Sequence, residues 1–135
     1  MAAPMIYVCI TCRRQSTGDL NRDAIGDCGP NRVPLPGALL AAATERAAQG
    51  TEVAVRRLRC LANCSRGPSA AVRANGSWTY LFGGLDPANA ADLVEGARLI
   101  AGASDGVMPW RGRPDILKRN LIARVPPTDF EEVDA

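Results

Sequence analysis

Hydrophobic and polar positions along the chain fall into short runs separated by glycine and proline. The first, from Pro4 to Ile10, is β-branched and aromatic and stops at the polar Arg13-Arg14-Gln15-Ser16, which predicts a central strand. Between Arg13 and Pro36 there is almost no periodicity, and six glycines and prolines interrupt the chain, so this stretch reads as a long loop. Residues Gly37 to Gln49 are rich in Ala and Leu, with Leu39, Leu40 and Ala43 assigned to one face. Gly50 just beyond them supplies a helix stop. Glu52 to Leu58 then alternates as a second strand, and a helix between two strands predicts a βαβ unit with parallel pairing.

Two more strand-like runs, Ser69 to Arg73 and Trp78 to Phe82, flank Ala74-Asn75-Gly76-Ser77. Asn-Gly between such runs predicts a hairpin with a type I′ turn, which needs positive φ at both central positions. Trp78, Tyr80 and Phe82 alternate, so all three face one side, where core packing is the expected role. Asp86-Pro87 caps and starts a helix to about Ile100, with Ala90, Leu93, Val94, Ala97 and Leu99 as its apolar positions. The order β-α-β-β-β-α is the thioredoxin-like one, a central mixed sheet of about four strands flanked by helices in an α/β (α+β) domain. That domain is expected over residues 1–102. Residues 103–135 read as a C-terminal extension, with a short helix from Asp115 to Ile122, an end to ordered structure at Pro126-Pro127 and a solvated tail.

With 135 residues, the chain has room for a single ordinary domain. It is 47% hydrophobic and only 4% aromatic, which describes a core of Val, Leu, Ile and Ala. The net charge of +2 hides an asymmetry, because Asp129, Glu131, Glu132 and Asp134 leave 14 − 4 = 10 acidic residues in a body holding all 16 basic ones. These basic residues are scattered and no aromatic residues interleave with them, so nucleic-acid binding is not expected. No apolar run is long enough to span a bilayer and no signal peptide is evident, so the expectation is a cytoplasmic chain without a membrane partner.

Cysteine usage changes the picture. Five cysteines, an odd number, argue in a reducing compartment for metal or redox chemistry over a disulfide framework. The absence of histidine excludes histidine-ligated zinc, a Rieske centre and any histidine-dependent catalysis. Cys9-Ile10-Thr11-Cys12 ends the first strand. Arg59-Cys60-Leu61-Ala62-Asn63-Cys64-Ser65-Arg66-Gly67-Pro68 follows the second. Four sulfurs on two loops suit an iron–sulfur cluster or structural zinc, and the unequal spacings, two residues in one pair and three in the other, lean towards iron.

The loop from Leu61 to Ser65 is of a kind that aims backbone N–H groups at sulfur. A four-thiolate [2Fe–2S] centre carries about −2 and, once reduced, about −3. Arg13, Arg14, Arg59 and Arg66 beside it would favour the reduced state, or form no more than a solvated rim. Cys9 and Cys12 alone could cycle as a dithiol, but the helix that normally lowers the pKa of such a pair does not follow them. Cys28 in the long loop is a free thiol or a substitute for Cys12.

The cysteine motifs, with Trp78-Thr79-Tyr80-Leu81-Phe82-Gly83, Pro109-Trp110-Arg111, Arg113-Pro114 and Ala123-Arg124-Val125-Pro126-Pro127, resemble a small cysteine-rich metal-binding protein family associated with cobalamin-synthesis genes. More distantly, the Cys-Leu-x-x-Cys loop followed by Gly-Pro, a hairpin and a tryptophan is similar to the thioredoxin-like [2Fe–2S] ferredoxins and to the cluster-bearing small subunit of respiratory complex I. The resemblance implies a thioredoxin-like fold and one [2Fe–2S] cluster held by Cys9, Cys12, Cys60 and Cys64, with Cys28 in reserve for Cys12. It also implies electron transfer to a partner protein, often from a homodimer, and an electron carrier for cobalt or corrinoid chemistry rather than an enzyme. The alternatives are a zinc-binding protein using the same four cysteines and a dithiol oxidoreductase using Cys9 and Cys12.

Overall fold

Strand β1 (Met5–Cys9) lies inside a sheet because its alternate side chains have partners on both flanks. Ile6 and Val8 are fully buried on one face, while Met5 and Tyr7 are half-buried on the other. The structure, a computed structural model, describes residues 3–11 and 35–133. The strand order is β2-β1-β3-β4-β5. Strand β2 (Ala54–Leu58) runs parallel to β1, as a βαβ unit requires, and Cys9 is opposite Leu58. As an edge strand, β2 exposes Arg56 and Arg57, charges that discourage pairing with another chain.

Helix α1 (Pro36–Ala48) starts on a proline, whose missing N–H costs nothing in the first turn. Its buried face is Gly37, Leu40, Ala41, Thr44 and Ala48, the i, i+3, i+4 pattern of a single stripe. Leu39, expected on that face, is 43% exposed. Successive residues lie about 100° apart, so the face that buries Leu40 and Ala41 turns Leu39 to its margin. Thr44 satisfies its buried hydroxyl by donating to the Leu40 carbonyl at 2.7 Å.

Strands β3 (Ala70–Arg73) and β4 (Thr79–Phe82) form the expected antiparallel hairpin. Its turn is not type I′. Gly76 has φ of 75°, but among the described non-glycine residues only Ala62 has positive φ, so Asn75 does not share the left-handed region. With the Ser77 N–H donating to the Ala74 carbonyl at 3.0 Å, this is the sign pattern of a type II turn. Tyr80 and Phe82 are buried and stacked, with centroids 6.4 Å apart, and the Tyr80 hydroxyl accepts from the Met108 N–H at 2.9 Å. Trp78 is half-buried beneath the Arg124 guanidinium, 4.4 Å from its ring.

Asp86 and Asn89 form a reciprocal capping box around a 3-10 turn, Pro87–Asn89, that leads into helix α2 (Ala90–Ala101). Ile100, more than the half-buried Leu99, closes the apolar stripe of this helix. One apolar cluster joins α1 and α2 to Ile6, Val8, Ala70, Val72, Tyr80 and Phe82, so both helices cover the same face of the sheet.

The stretch after residue 102 contributes to the same sheet. Helix α3 (Asp115–Arg119) is shorter than expected, and Leu121 and Ile122 belong instead to strand β5 (Leu121–Val125), antiparallel to β4. The sheet thus has five strands. The open edge of β4 carries unpaired backbone groups that β5 satisfies, and this pairing overrides the local helical pattern. Leu117 of α3 is fully buried against Gly96 of α2, where a Cβ would stand 2.5 Å from its Cδ1. Beyond Pro127 the tail, expected to be simply solvated, turns back, and the Phe130 ring meets Trp78 edge-on at 5.5 Å. No described helix is long and apolar enough to cross a membrane.

Candidate metal centre

Because β1 and β2 are adjacent and parallel, the loops that follow them leave the same end of the sheet side by side. Cys9, the last residue of β1, is buried, and its thiol donates to the Arg59 carbonyl at 3.4 Å. The Thr11 hydroxyl donates to that same carbonyl, tying the first cysteine loop to the second. Cys60 and Cys64 are exposed on the second loop. Cys12 and Cys28 lie outside the described residues, as do Arg13, Arg14 and the rest of the long loop up to residue 34.

The Cys60–Pro68 loop turns sharply at both thiols. Ala62 takes φ of 60°, a left-handed conformation that costs a non-glycine residue roughly 1–2 kcal/mol, and its N–H donates to the Cys60 sulfur at 3.1 Å. The expectation that this loop aims backbone N–H groups at sulfur is met at that residue. Cys64–Arg66 forms a single 3-10 turn, with the Arg66 N–H donating to the Asn63 carbonyl at 3.0 Å. The Cys64 thiol is held above its ordinary range. The charge of Cys60 is the main cause, followed by a hydrogen bond with Cys60, slight burial and the charge of Cys9. Two thiolates this close repel, and a bound cation is the natural relief of that repulsion.

Four residues that carry no ligand chemistry hold this loop, and the sequence reading did not single them out. The Asn63 amide donates to the hydroxyl of buried Ser69 at 2.9 Å, and the Ser69 carbonyl accepts from the Cys9 N–H at 3.2 Å. Gly83, just past β4, passes directly beneath the loop, where a Cβ would come within 2.5 Å of the Arg66 carbonyl oxygen and 2.7 Å of Asn63 Nδ2. Asn120, between α3 and β5, bonds the Gly83-Gly84 corner. The adjacent glycines after Phe82 were the one sequence signal of a close approach.

An all-sulfur donor set fits an iron–sulfur centre or zinc. Cys64 is near enough to Cys60 and Cys9 to feel their charge, yet among the described residues no three Cys, Asp or Glu side chains are drawn together as a ready metal site. Arg59 and Arg66 flank the exposed thiols and are themselves exposed.

The pattern of DUF1636, described as a protein family of unknown function, matches residues 6–127. The chain belongs to this family. No curated protein matches it. Among solved structures it is similar to a thioredoxin-like [2Fe–2S] ferredoxin from Aquifex aeolicus, with 16% identity and a TM-score of 0.54, covering 96% of this chain and 100% of that one. At that identity the likeness establishes the thioredoxin-like fold, as expected from the element order.

Proposed function

We propose that this DUF1636 chain is an electron carrier that holds a [2Fe–2S] cluster through Cys9, Cys12, Cys60 and Cys64, rather than an enzyme. The observation that carries the reading is the meeting of the two cysteine loops, through the Cys9 thiol and Thr11 hydroxyl on the Arg59 carbonyl, in a fold shared with a [2Fe–2S] ferredoxin. When bound, such a cluster supplies reversible one-electron chemistry. The chain's own contributions are separate from that chemistry. Ala62 N–H stabilises negative charge on the Cys60 sulfur, burial of Cys9 keeps one side of the site from water, and exposure of Cys60 and Cys64 leaves the other open to a partner.

Arg59 and Arg66 give that open side a positive rim, which suits an acidic redox protein. Delivery of electrons to cobalt or corrinoid chemistry is the finest part of the proposal and rests on the family resemblance alone. Anaerobic purification followed by a visible spectrum tests the whole. Charge-transfer bands bleached by dithionite are expected. A colourless protein with bound zinc would replace the carrier by a zinc-binding protein, and a colourless metal-free one would favour a dithiol oxidoreductase. For the ligand set, Cys12→Ser is expected to abolish the bands and Cys28→Ser to leave them, and the reverse result would exchange the two assignments.

A further inference from the structure

Asn120 stands far from the cysteines in sequence, yet its hydrogen bonds end beneath their loop. Its side-chain Nδ2 donates to two successive carbonyls, Gly83 at 3.0 Å and Gly84 at 3.1 Å, and its own carbonyl accepts from the Gly83 N–H at 3.1 Å. The corner these bonds fix contains Gly84 at φ of 60°. From it the Gly84 N–H donates to the Arg66 carbonyl, the last carbonyl of the turn that begins at Cys64, and the Leu85 N–H donates to Pro68 at 3.0 Å. Asn120 is in turn held by its own N–H donating to Ile116 at the end of α3.

We propose that Asn120 is a positioning residue for the Cys60–Cys64 loop, acting through the Gly83-Gly84 corner. The amide is chemically specific to this task. Two carbonyls within reach of one nitrogen demand a double donor, which Asn provides, whereas the near-isosteric Asp offers only acceptors and would oppose both oxygens. The loop's other bonds include the Asn63–Ser69 side-chain contact and bonds internal to its own turns. The C-terminal α3–β5 unit thus supports, through this corner, a loop whose thiols come from the middle of the chain.

The proposal deepens the cluster reading, since a loop held in one shape presents Cys60 and Cys64 at a fixed separation, but its first test needs no metal. In metal-free protein, amide hydrogen exchange is compared between wild type, Asn120→Asp, Asn120→Ala and Ser77→Ala. Ser77→Ala is a control that loses buried hydrogen bonds at the opposite end of β4. The Arg66, Gly67 and Gly84 amides are expected to exchange about tenfold faster in both Asn120 variants and at the wild-type rate in Ser77→Ala, the factor corresponding to loss of one typical hydrogen bond. Unchanged exchange in the Asn120 variants, or an equal rise in Ser77→Ala, would overturn the assignment. A second arm follows loss of iron to a chelator after anaerobic reconstitution with iron and sulfide. Loss about tenfold faster in Asn120→Asp than in wild type or Ser77→Ala supports positioning at the metal, and equal loss removes it. If wild type takes up no iron, the cluster reading fails while the exchange arm still decides the role of Asn120.

Discussion

The two ends of the β3–β4 hairpin are built in opposite ways. At the turn end, Ser77 makes its bonds within five residues, and a longer tie runs from the Trp78 N–H to the Gly106 carbonyl at 2.9 Å. The Ser77 N–H donates to Ala74, its hydroxyl accepts from the Ala74 N–H at 2.8 Å, and the same hydroxyl donates to Trp78 at 2.8 Å. At the cysteine end no single segment suffices. Cys9, the Arg59 to Ser69 loop, Gly83-Gly84 and Asn120 come from four parts of the chain and are joined by bonds that close long loops. Local turns cost little chain entropy, whereas long-range closures depend on the rest of the fold being present. The difference places the candidate metal loop where stability is borrowed and the hairpin turn where most of it is local.

Substitution at Gly83 should break the comparison most sharply. Gly83→Ala drives a methyl group into the Arg66 carbonyl, a backbone atom that cannot step aside alone, and is expected to destabilise the fold by about 2–3 kcal/mol in denaturant unfolding while displacing the cysteine loop. A cost near zero would mean that the loop is not seated on the β4 end. Ser77→Ala should come next, at about 1–2 kcal/mol, because it strands the buried Ala74 N–H, with no change in loop exchange. Gly76→Ala, forced to keep φ of 75°, should cost about 1 kcal/mol and leave thiol reactivity at wild-type level, and altered thiol reactivity would erase the distinction between the ends.

The smallest effect is expected on the rim of the cysteine end, where Glu45 of α1 pairs with Arg57 of β2 through bonds of 2.6 and 3.0 Å. The Arg57 hydrogen bond first, and its charge as well, hold the Glu45 carboxyl below its ordinary 4.5. A carboxyl depressed in the folded state stabilises above its unfolded pKa and loses that contribution as pH falls through the folded one. Wild type should therefore exceed Glu45→Gln by at most about 0.5 kcal/mol at neutral pH, since both side chains are over 40% exposed, and the gap should close below pH 4.5. A gap that widens on acidification would contradict the pairing.

Much of the hairpin end was legible because its signals are local. Asn75-Gly76 located the turn, although the turn type differs because Gly76 alone takes the left-handed conformation. Asp86-Pro87 located the start of the second helical segment for the same reason, through a capping box closed within four residues. Leu39 was placed on the buried face with Leu40 because the first half of this helix has no polar residue to orient it, and only packing against β1 separated the two. Strand β5 was hidden because Leu121 and Ile122 continue an apolar pattern that also suits a helix. The waiting edge of β4, not propensity, decided their state.

The amino-acid order determined the parts that need only neighbours in the chain: the strand and helix sequence as far as α2, the turn and cap positions, and a supply of thiols with no histidine to compete. Tertiary structure alone decided that the loops after β1 and β2 meet at one carbonyl, that Gly83 lies under the second of them, and that Asn120 holds the corner between. Such contacts join residues tens of positions apart, and periodicity and capping rules, which act over a few residues, contain no information about which distant segments will share an edge.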